Sequence, residues 1–417
     1  MSVSRHYVLA AGGTGGHLIP AFALAVELER RGHRVELITD ARGAAIPGKP
    51  DFLPAHVLPA GRLQGKNPLN WLRGLKAIVE GRAMAKRLFA SYQPSCVVGF
   101  GGYPAFPALS AAAAMKIPTV IHEQNAVLGR VNRLLAGRVD AIATAYHTVE
   151  RLAAKHWGMV HCIGNPVRPE VLALRGEPFP PLTEAGLLRV LVTGGSQGAR
   201  VLAEVVPDAL AMLPPALATR LQVTQQCRPE DIEAVRVRYA SHGIPAELAT
   251  YFEDMATRLA DAHLFIGRSG ASTIAELTAV GRPAILIPLP GATDDHQAAN
   301  AREMAASGGA RMMRQPAVTT INLARLNEYK RNAMMLAQSD AYQEMAKDLC
   351  RQIRAIAQNP ETLANAAHAA WNCGLPNATR DLADLVEAFG GAPLMDVIRV
   401  GEGRASAAQT QRQGAVA

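Results

Sequence analysis

The stretch Ala10-Ala-Gly-Gly-Thr-Gly-Gly-His-Leu-Ile-Pro20 closes a short apolar run, Tyr7 to Ala11, and places four glycines within five positions. The apolar run predicts a strand. Leu18 to Arg31 then reads as a helix, with Ala21, Leu24, Ala25 and Leu28 at i, i+3, i+4 and i+7. Gly32 stops that helix, and Arg34 to Thr39 is a second strand. Strand, bare loop, helix, strand is how a doubly wound parallel sheet begins.

The same rhythm continues outward. Strands are expected at Cys96 to Gly99, Thr119 to His122 and Ala141 to Thr144, separated by helical or glycine- and proline-rich stretches such as Ala105 to Lys116. It breaks between Pro166 and Gly186, where prolines at 166, 169, 178, 180 and 181 suggest a linker. It restarts with the strand Leu188 to Thr193, the loop Gly194-Gly-Ser-Gln-Gly-Ala-Arg200 and a helix from about Val201. The second half thus opens as the first did, which implies two similar α/β domains. Further strands follow at Leu221 to Thr224, His263 to Gly267 and Ala284 to Pro288, and the text beyond Thr320 is helical.

Composition limits the function classes. The 417 residues are 49% hydrophobic and 19% charged, as in an ordinary globular protein of two domains. Five dispersed cysteines show no C-x-x-C pair, which implies reduced thiols in the cytosol. The N-terminus lacks a signal-peptide pattern, and no run is long enough for a membrane span. A net charge of +8 calls for an anionic partner. Between Gly61 and Gln93, Arg62, Lys66, Arg73, Lys76, Arg82, Lys86 and Arg87 interleave with Leu69, Trp71, Leu72, Leu75, Ile78 and Val79. That pattern suits a helix lying on anionic lipid, or a solvated basic helix whose apolar stripe packs on its own domain. Nucleic acid is not indicated, because aromatic residues are only 5% and no binding module is present.

A glycine loop that leads into a helix brings peptide N–H groups and partial positive charge to a phosphate. The first loop fails the G-x-G-x-x-G fingerprint, whose third glycine is Leu18 here, and it also lacks the Gly-Lys-Ser/Thr of a phosphate loop. Its bareness serves either ligand approach or a tight crossing. A second seat is Gly267-Arg-Ser-Gly-Ala-Ser-Thr-Ile-Ala-Glu276, where hydroxyl and N–H groups gather at a helix start. Glu276 there either opposes the helix dipole or accepts from a ribose diol. A phosphate seat in one domain opposite a glycine loop in the other describes a nucleotide-sugar cleft.

The ordered motifs carry a specific resemblance. They are Gly12-Gly-Thr-Gly-Gly-His17, Gly101-Gly-Tyr103, His122-Glu-Gln-Asn125, Gly164-Asn-Pro-Val-Arg168, Gly194-Gly-Ser-Gln-Gly-Ala-Arg200, Arg268-Ser-Gly270 with Glu276, and Asp295-His-Gln297 with Asn300. The chain resembles the UDP-N-acetylglucosamine:N-acetylmuramyl-(pentapeptide) pyrophosphoryl-undecaprenol N-acetylglucosamine transferases, which make lipid II from lipid I in peptidoglycan synthesis. The resemblance implies a B-type glycosyltransferase fold, two Rossmann-like doubly wound parallel-sheet domains facing across a cleft. It implies an acceptor-side, membrane-docking domain at 1–168, a linker at 169–187 and a UDP-N-acetylglucosamine domain at 188–370. A helix at 371–392 would pack back on the first domain, and 393–417 would be a disordered tail. Thr14, Gly15, Gly16, Asn125, Arg168, Ser196 and Gln297 would contact the donor. Ala271, Ser272, Thr273, Ile274, Ala275 and Glu276 would hold diphosphate and ribose, and Phe252 would lie at the uracil.

The implied chemistry is a single inverting displacement with one general base. With no Asp-x-Asp in the sequence, helix dipoles, backbone N–H groups and Arg168 are expected to neutralise the leaving diphosphate, with no metal and no cofactor. His17 leads as the base, its rivals being His122 and Glu123, of which Glu123 can instead anchor its loop. A lipid-linked acceptor adds weight to docking of Gly61 to Gln93 on the cytoplasmic face of the cell (inner) membrane. Two departures from the family stand out: Phe252 replaces an aliphatic residue, and the helical text from Asn327 to Arg354 is long, as a surface insertion or an oligomer contact would be. The competing readings are a nucleotide-sugar epimerase and a non-catalytic membrane-docked partner.

Overall fold

A computed structural model describes residues 4–59, 68–183, 186–195 and 198–391. These fall in two compact units, one drawn from Met1–Pro166 and Pro376–Ala417, the other from Val167–Leu375.

The first unit runs β1 (His6–Ala11), α1 (Gly15–Arg30), β2 (Arg34–Thr39), α2 (Ala41–Ala44), β3 (Ala55–Val57), α3 (Pro68–Tyr92), β4 (Cys96–Gly101), α4 (Ala105–Ala114), β5 (Thr119–Glu123), α5 (Arg130–Leu135), β6 (Ala141–Thr144) and β7 (Val160–Cys162). Its sheet has the order β3-β2-β1-β4-β5-β6-β7, and every pairing is parallel. Strands buried on both faces carry near-continuous apolar text, as Val8, Leu9, Ala10, Val97 and Val98 do. The chain steps outward from β1 to β3, then returns to β4 and steps the other way. The switch point between β1 and β4 is where ligands bind in open α/β sheets, and the Gly12 and Gly101 loops both lie there.

The second unit repeats the plan with α6 (Pro169–Leu172), β8 (Leu188–Thr193), α7 (Arg200–Ala211), α8 (Pro215–Ala218), β9 (Leu221–Gln226), α9 (Ile232–Ser241), β10 (Ala246–Ala249), α10 (Met255–Asp261), β11 (Leu264–Gly267), α11 (Ala271–Val280), β12 (Ala284–Leu286), α12 (His296–Ala306), β13 (Ala310–Met312), α13 (Glu328–Ala357) and α14 (Pro360–Asn372). The order is β10-β9-β8-β11-β12-β13, again all parallel. Its switch point lies between β8 and β11, beside the Gly194 loop and Ser269. A final helix, α15 (Ala378–Phe389), belongs to the first unit. It buries Leu382, Ala383 and Val386 in that core, and Arg31 bonds Asp384 at 2.6 Å and Glu387 at 2.5 Å.

Two stretches differ from expectation. The proline-rich text after Pro166 is not plain linker: Pro169 starts α6, where its missing N–H costs nothing, and a 3-10 turn follows at Ala173–Gly176. Val171 is fully buried there. The long helix α13 is not simply a surface insertion either. The Asn327 side chain caps it by accepting from Lys330 N at 3.0 Å. Its second half then places Met345, Ala346, Leu349, Ile353 and Ile356 in the core of the second unit. Leu349→Ala should cost about 3 kcal/mol of stability, measured as a lowered urea midpoint at unchanged slope.

Candidate active site

In the first unit the four glycines of the β1–α1 loop divide by cause. A Cβ on Gly12 would lie 2.5 Å from Pro104 Cγ, and one on Gly102 would lie 2.5 Å from the Gly12 carbonyl oxygen. Two loops therefore pack backbone against backbone. Gly13 takes φ 84° and donates its N–H to Asp40 Oδ1 at 3.1 Å. Gly15 and Gly16 are under no such demand, since their nearest contacts would be 3.6 and 3.7 Å. Thr14 is the exposed N-cap of α1, with an extended backbone and no side-chain capping bond. The helix thus presents uncapped N–H groups over glycines that the fold itself does not require, a surface shaped for an anion.

His17 stands in the first turn of α1, partly buried. Its Nδ1 lies 2.9 Å from the Gly12 carbonyl. Because a carbonyl can only accept, Nδ1 carries the proton, and Nε2 is left with its lone pair. Nε2 lies over Gly101, where an added Cβ would approach it to 3.1 Å.

The two rivals at the end of β5 are otherwise engaged. His122 is fully buried; its Nε2 donates to the Gly164 carbonyl at 2.9 Å and its Nδ1 accepts from Gln124 Nε2 at 3.0 Å. Burial pushes its pKa down to about 4 against the help of the Gly164 bond, so the ring is neutral and sealed. Glu123 is buried too. One oxygen accepts from Asn125 N at 3.1 Å and Asn125 Nδ2 at 3.2 Å, the other from Gly129 N at 2.7 Å and Asn132 Nδ2 at 2.9 Å. Through these four bonds Glu123 braces the 124–129 loop and holds Asn125 within it. The bracing partner Asn132 was not singled out from sequence, because nothing in its spacing marks it.

In the second unit, α11 starts at Ala271 with Gly270 as N-cap, no side-chain capping bond and no acidic residue in its first turn. Ala271 to Glu276 are the first turns of this helix, as expected. Ser272 Oγ is buried and has no hydrogen-bond partner, which leaves a hydroxyl donor unpaired beside open N–H groups. Glu276 Oε1 accepts from Arg168 Nε at 2.8 Å, so the expected ribose and diphosphate contacts meet as an ion pair. Ser269, at the end of the loop before α11, donates from Oγ to the Gln297 carbonyl at 2.8 Å, and Asn300 Nδ2 reaches the Ser269 carbonyl at 3.2 Å. Gln297 Oε1 accepts from Leu289 N at 2.9 Å. Arg268 is structural. It binds the Ile287 and Pro288 carbonyls at 2.9 and 3.1 Å and Gln315 Oε1 at 2.9 Å, while burial lowers its pKa to about 10.

Phe252 is buried, and the Arg258 guanidinium lies 4.3 Å from its ring centroid, held by Glu247 and Asp254. One face of the expected uracil contact is therefore already covered. Ser196 lies outside the described residues. Among the described residues, no group of three or more His, Cys, Asp or Glu side chains is arranged to hold a metal ion.

Two parallel sheets, each with an open helix N-terminus beside its switch point, define a nucleotide-binding α/β protein. Residues 7–144 match the glycosyltransferase family 28 N-terminal domain and residues 189–359 its C-terminal domain. The chain is 71% identical to the UDP-N-acetylglucosamine--N-acetylmuramyl-(pentapeptide) pyrophosphoryl-undecaprenol N-acetylglucosamine transferase of Novosphingobium aromaticivorans, over 99% of both chains. It is 68% identical to the protein of that name from Erythrobacter litoralis, over 97% of this chain and 95% of the other. The crystal structure of Acinetobacter baumannii MurG is 28% identical and superposes with a TM-score of 0.70, covering 92% of this chain and 99% of that one. The chain belongs to glycosyltransferase family 28, among these N-acetylglucosamine transferases, and its two Rossmann-like units are those of the B-type glycosyltransferase fold.

Glu123→Ala would leave the Gly129 N–H without its acceptor and the Asn132 amide with only the His122 carbonyl, at 3.3 Å. It should cost about 3 kcal/mol, visible as a lower thermal midpoint. Turnover should also fall, because Asn125 loses its brace.

Proposed function

We propose that this chain transfers N-acetylglucosamine from UDP-N-acetylglucosamine to the C4 hydroxyl of the N-acetylmuramyl-pentapeptide of lipid I, giving lipid II and UDP. The observation that carries the donor half is the uncapped N-terminus of α11, with the unpaired Ser272 hydroxyl beside it. Ala271, Ser272 and Thr273 receive the diphosphate, whose charge grows as the glycosidic bond breaks. Preorganised N–H groups stabilise that charge without a metal ion. Arg168 and Glu276 form a polar pair beside the seat: the guanidinium turns to phosphate and the carboxylate to the ribose diol. Thr14, Gly15, Gly16, Asn125 and Gln297 complete the donor contacts, with Phe252 near the base.

His17 is the general base. The bond from Nδ1 to Gly12 fixes the tautomer and leaves Nε2 to accept the proton of the acceptor hydroxyl as it attacks the anomeric carbon. Glu123 acts one step away by holding Asn125. A single displacement by the acceptor inverts the anomeric centre. Labelled UDP-N-acetylglucosamine incubated with lipid I vesicles, without added metal, should give lipid-linked product. Release of an epimerised UDP-sugar, or no reaction, would reject the reading. His17→Ala should lower kcat by about a hundredfold or more while UDP affinity stays within about twofold. A large loss of UDP affinity at unchanged turnover would remove the base assignment.

The acceptor is lipid-linked, and α3 offers the docking surface. The helix has two apolar faces. Gly81, Ala85 and Phe89 are buried in the unit, with Ala85 and Phe89 packed in its core, which accounts for the stripe that a solvated helix needs. Leu72, Leu75 and Val79 are instead 64%, 54% and 60% exposed, on the same side as exposed Lys76, Arg82 and Lys86. An outward apolar stripe flanked by cations suits insertion at an anionic leaflet. No helix among the described residues is long and apolar enough to cross a membrane. Residues 60–67 and the Trp71 side chain, part of the same expected region, lie outside the described residues. Replacing Arg73, Lys76 and Arg82 by Glu should abolish cosedimentation with vesicles rich in anionic lipid and leave UDP binding unchanged. Undiminished sedimentation would reject this surface.

A further inference from the structure

α11 is also held at its far end, by a side chain that no sequence motif singles out. Arg175, in the 3-10 turn after α6, donates from Nη1 to two C-terminal carbonyls of α11, Thr278 at 3.1 Å and Ala279 at 2.7 Å. Its Nη2 donates to the Trp371 carbonyl of α14 at 3.2 Å. The guanidinium carbon lies 4.1 Å from the centroid of the Trp371 ring. The surrounding backbone is bare enough to admit it. A Cβ on Gly374 would come within 3.0 Å of Arg175 Nη1 and 2.4 Å of the Thr278 oxygen, and one on Gly281 would lie 2.7 Å from Trp371 Cβ. Earlier in the same segment, Arg168 grips the middle of α11 through Glu276.

We propose that Arg175 is a positioning residue for the donor: it pins the C-terminal end of α11 while Arg168 holds the helix at its middle, and together they keep the N-terminal N–H groups aimed at the diphosphate. The proposal rests on the reading of α11 as the diphosphate seat. Ten residues make a rod of about 15 Å at about 1.5 Å per residue, so a displacement at one end is carried to the other. Without Arg175, three carbonyls in a half-buried nest lose their donor and Trp371 loses its stacked cation. The helix also loses a positive charge at its negative end. As the carbonyls turn toward water the rod tilts. Hydrogen bonds at the N-terminus, steep in distance and angle, then weaken.

A purely structural arginine predicts something else: fewer folded molecules, hence lower apparent kcat, with unchanged KM. The test uses full-length Arg175→Ala and Arg175→Lys, with UDP alone titrated by calorimetry and KM measured separately for UDP-N-acetylglucosamine and lipid I. In Arg175→Ala, the Kd for UDP and the KM for the donor should rise about three- to tenfold, while KM for lipid I stays within about twofold. Arg175→Lys keeps the charge and donors but not the planar stack, and should fall between. Wild-type UDP affinity in folded Arg175→Ala overturns the proposal. If that variant does not fold, Arg175→Lys decides in the same way, weakened UDP binding supporting the clamp and unchanged binding overturning it. A wild-type chain that binds no UDP would overturn the donor-seat reading itself, a result distinct from a variant that binds UDP normally.

Discussion

The structure depends on one constraint: every strand in both sheets runs parallel, so each strand's C-terminal end lies on the same edge as its sheet's switch point. Helices that follow those strands begin there, and their first N–H groups have no partner within the helix. A side chain answers this need at α2, α13 and α14, from Asp40, Asn327 and Asn359, while most of the described helix starts have no such cap. At the starts of α1 and α11 no side chain does so. What sets these two starts apart is their place beside the switch points, with uncrowded backbone at Gly15 and Gly16 at the first and the unpartnered Ser272 hydroxyl at the second.

Two histidines show how little residue type says without hydrogen-bond partners. His122 lies near the end of β5, and His17 follows β1 in the same sheet. The first is enclosed, with both ring nitrogens satisfied, and burial holds it neutral. The second has one nitrogen tied to a carbonyl and the other directed over a glycine that has no side chain to cover it. The base reading follows from that asymmetry. It also gives Gly101 a chemical role, because any side chain there would crowd Nε2.

Much of this was legible in the sequence. The apolar runs at Tyr7 and Leu188 and the glycines after them fix where strands end and helices start, and a parallel sheet leaves few other arrangements. The start of α11 was legible because Ser269 to Thr273 combine small residues with hydroxyls just after a strand. Short edge strands such as β3, β10 and β13 were not, since three or four half-polar residues carry no period. The outward stripe of α3 was visible only as a mixture. Leu72, Leu75 and Val79 share a helical period with residues that do pack inward, and only burial separates the two faces. Arg175 could not be found by pattern at all, because its partners are main-chain carbonyls of α11 and α14, distant in sequence and indifferent to side-chain identity.

The carboxylates supply the last step. A double displacement through a glycosyl-enzyme needs a free carboxylate as nucleophile, and neither Glu123 of the first unit nor Glu276 of the second is free. Glu123 accepts four hydrogen bonds, and Glu276 is paired to Arg168. Releasing Glu123 would strand buried donors at a cost of about 3 kcal/mol, a large fraction of a domain's stability margin of about 5–15 kcal/mol. Releasing Glu276 costs less, because its partner is partly exposed and can turn to phosphate. The rigid carboxylate therefore suits bracing and the exchangeable one suits substrate. Among the three candidate bases of the first unit, His122 and Glu123 have their acceptor atoms engaged, and His17 keeps Nε2 out of the bond that holds its ring.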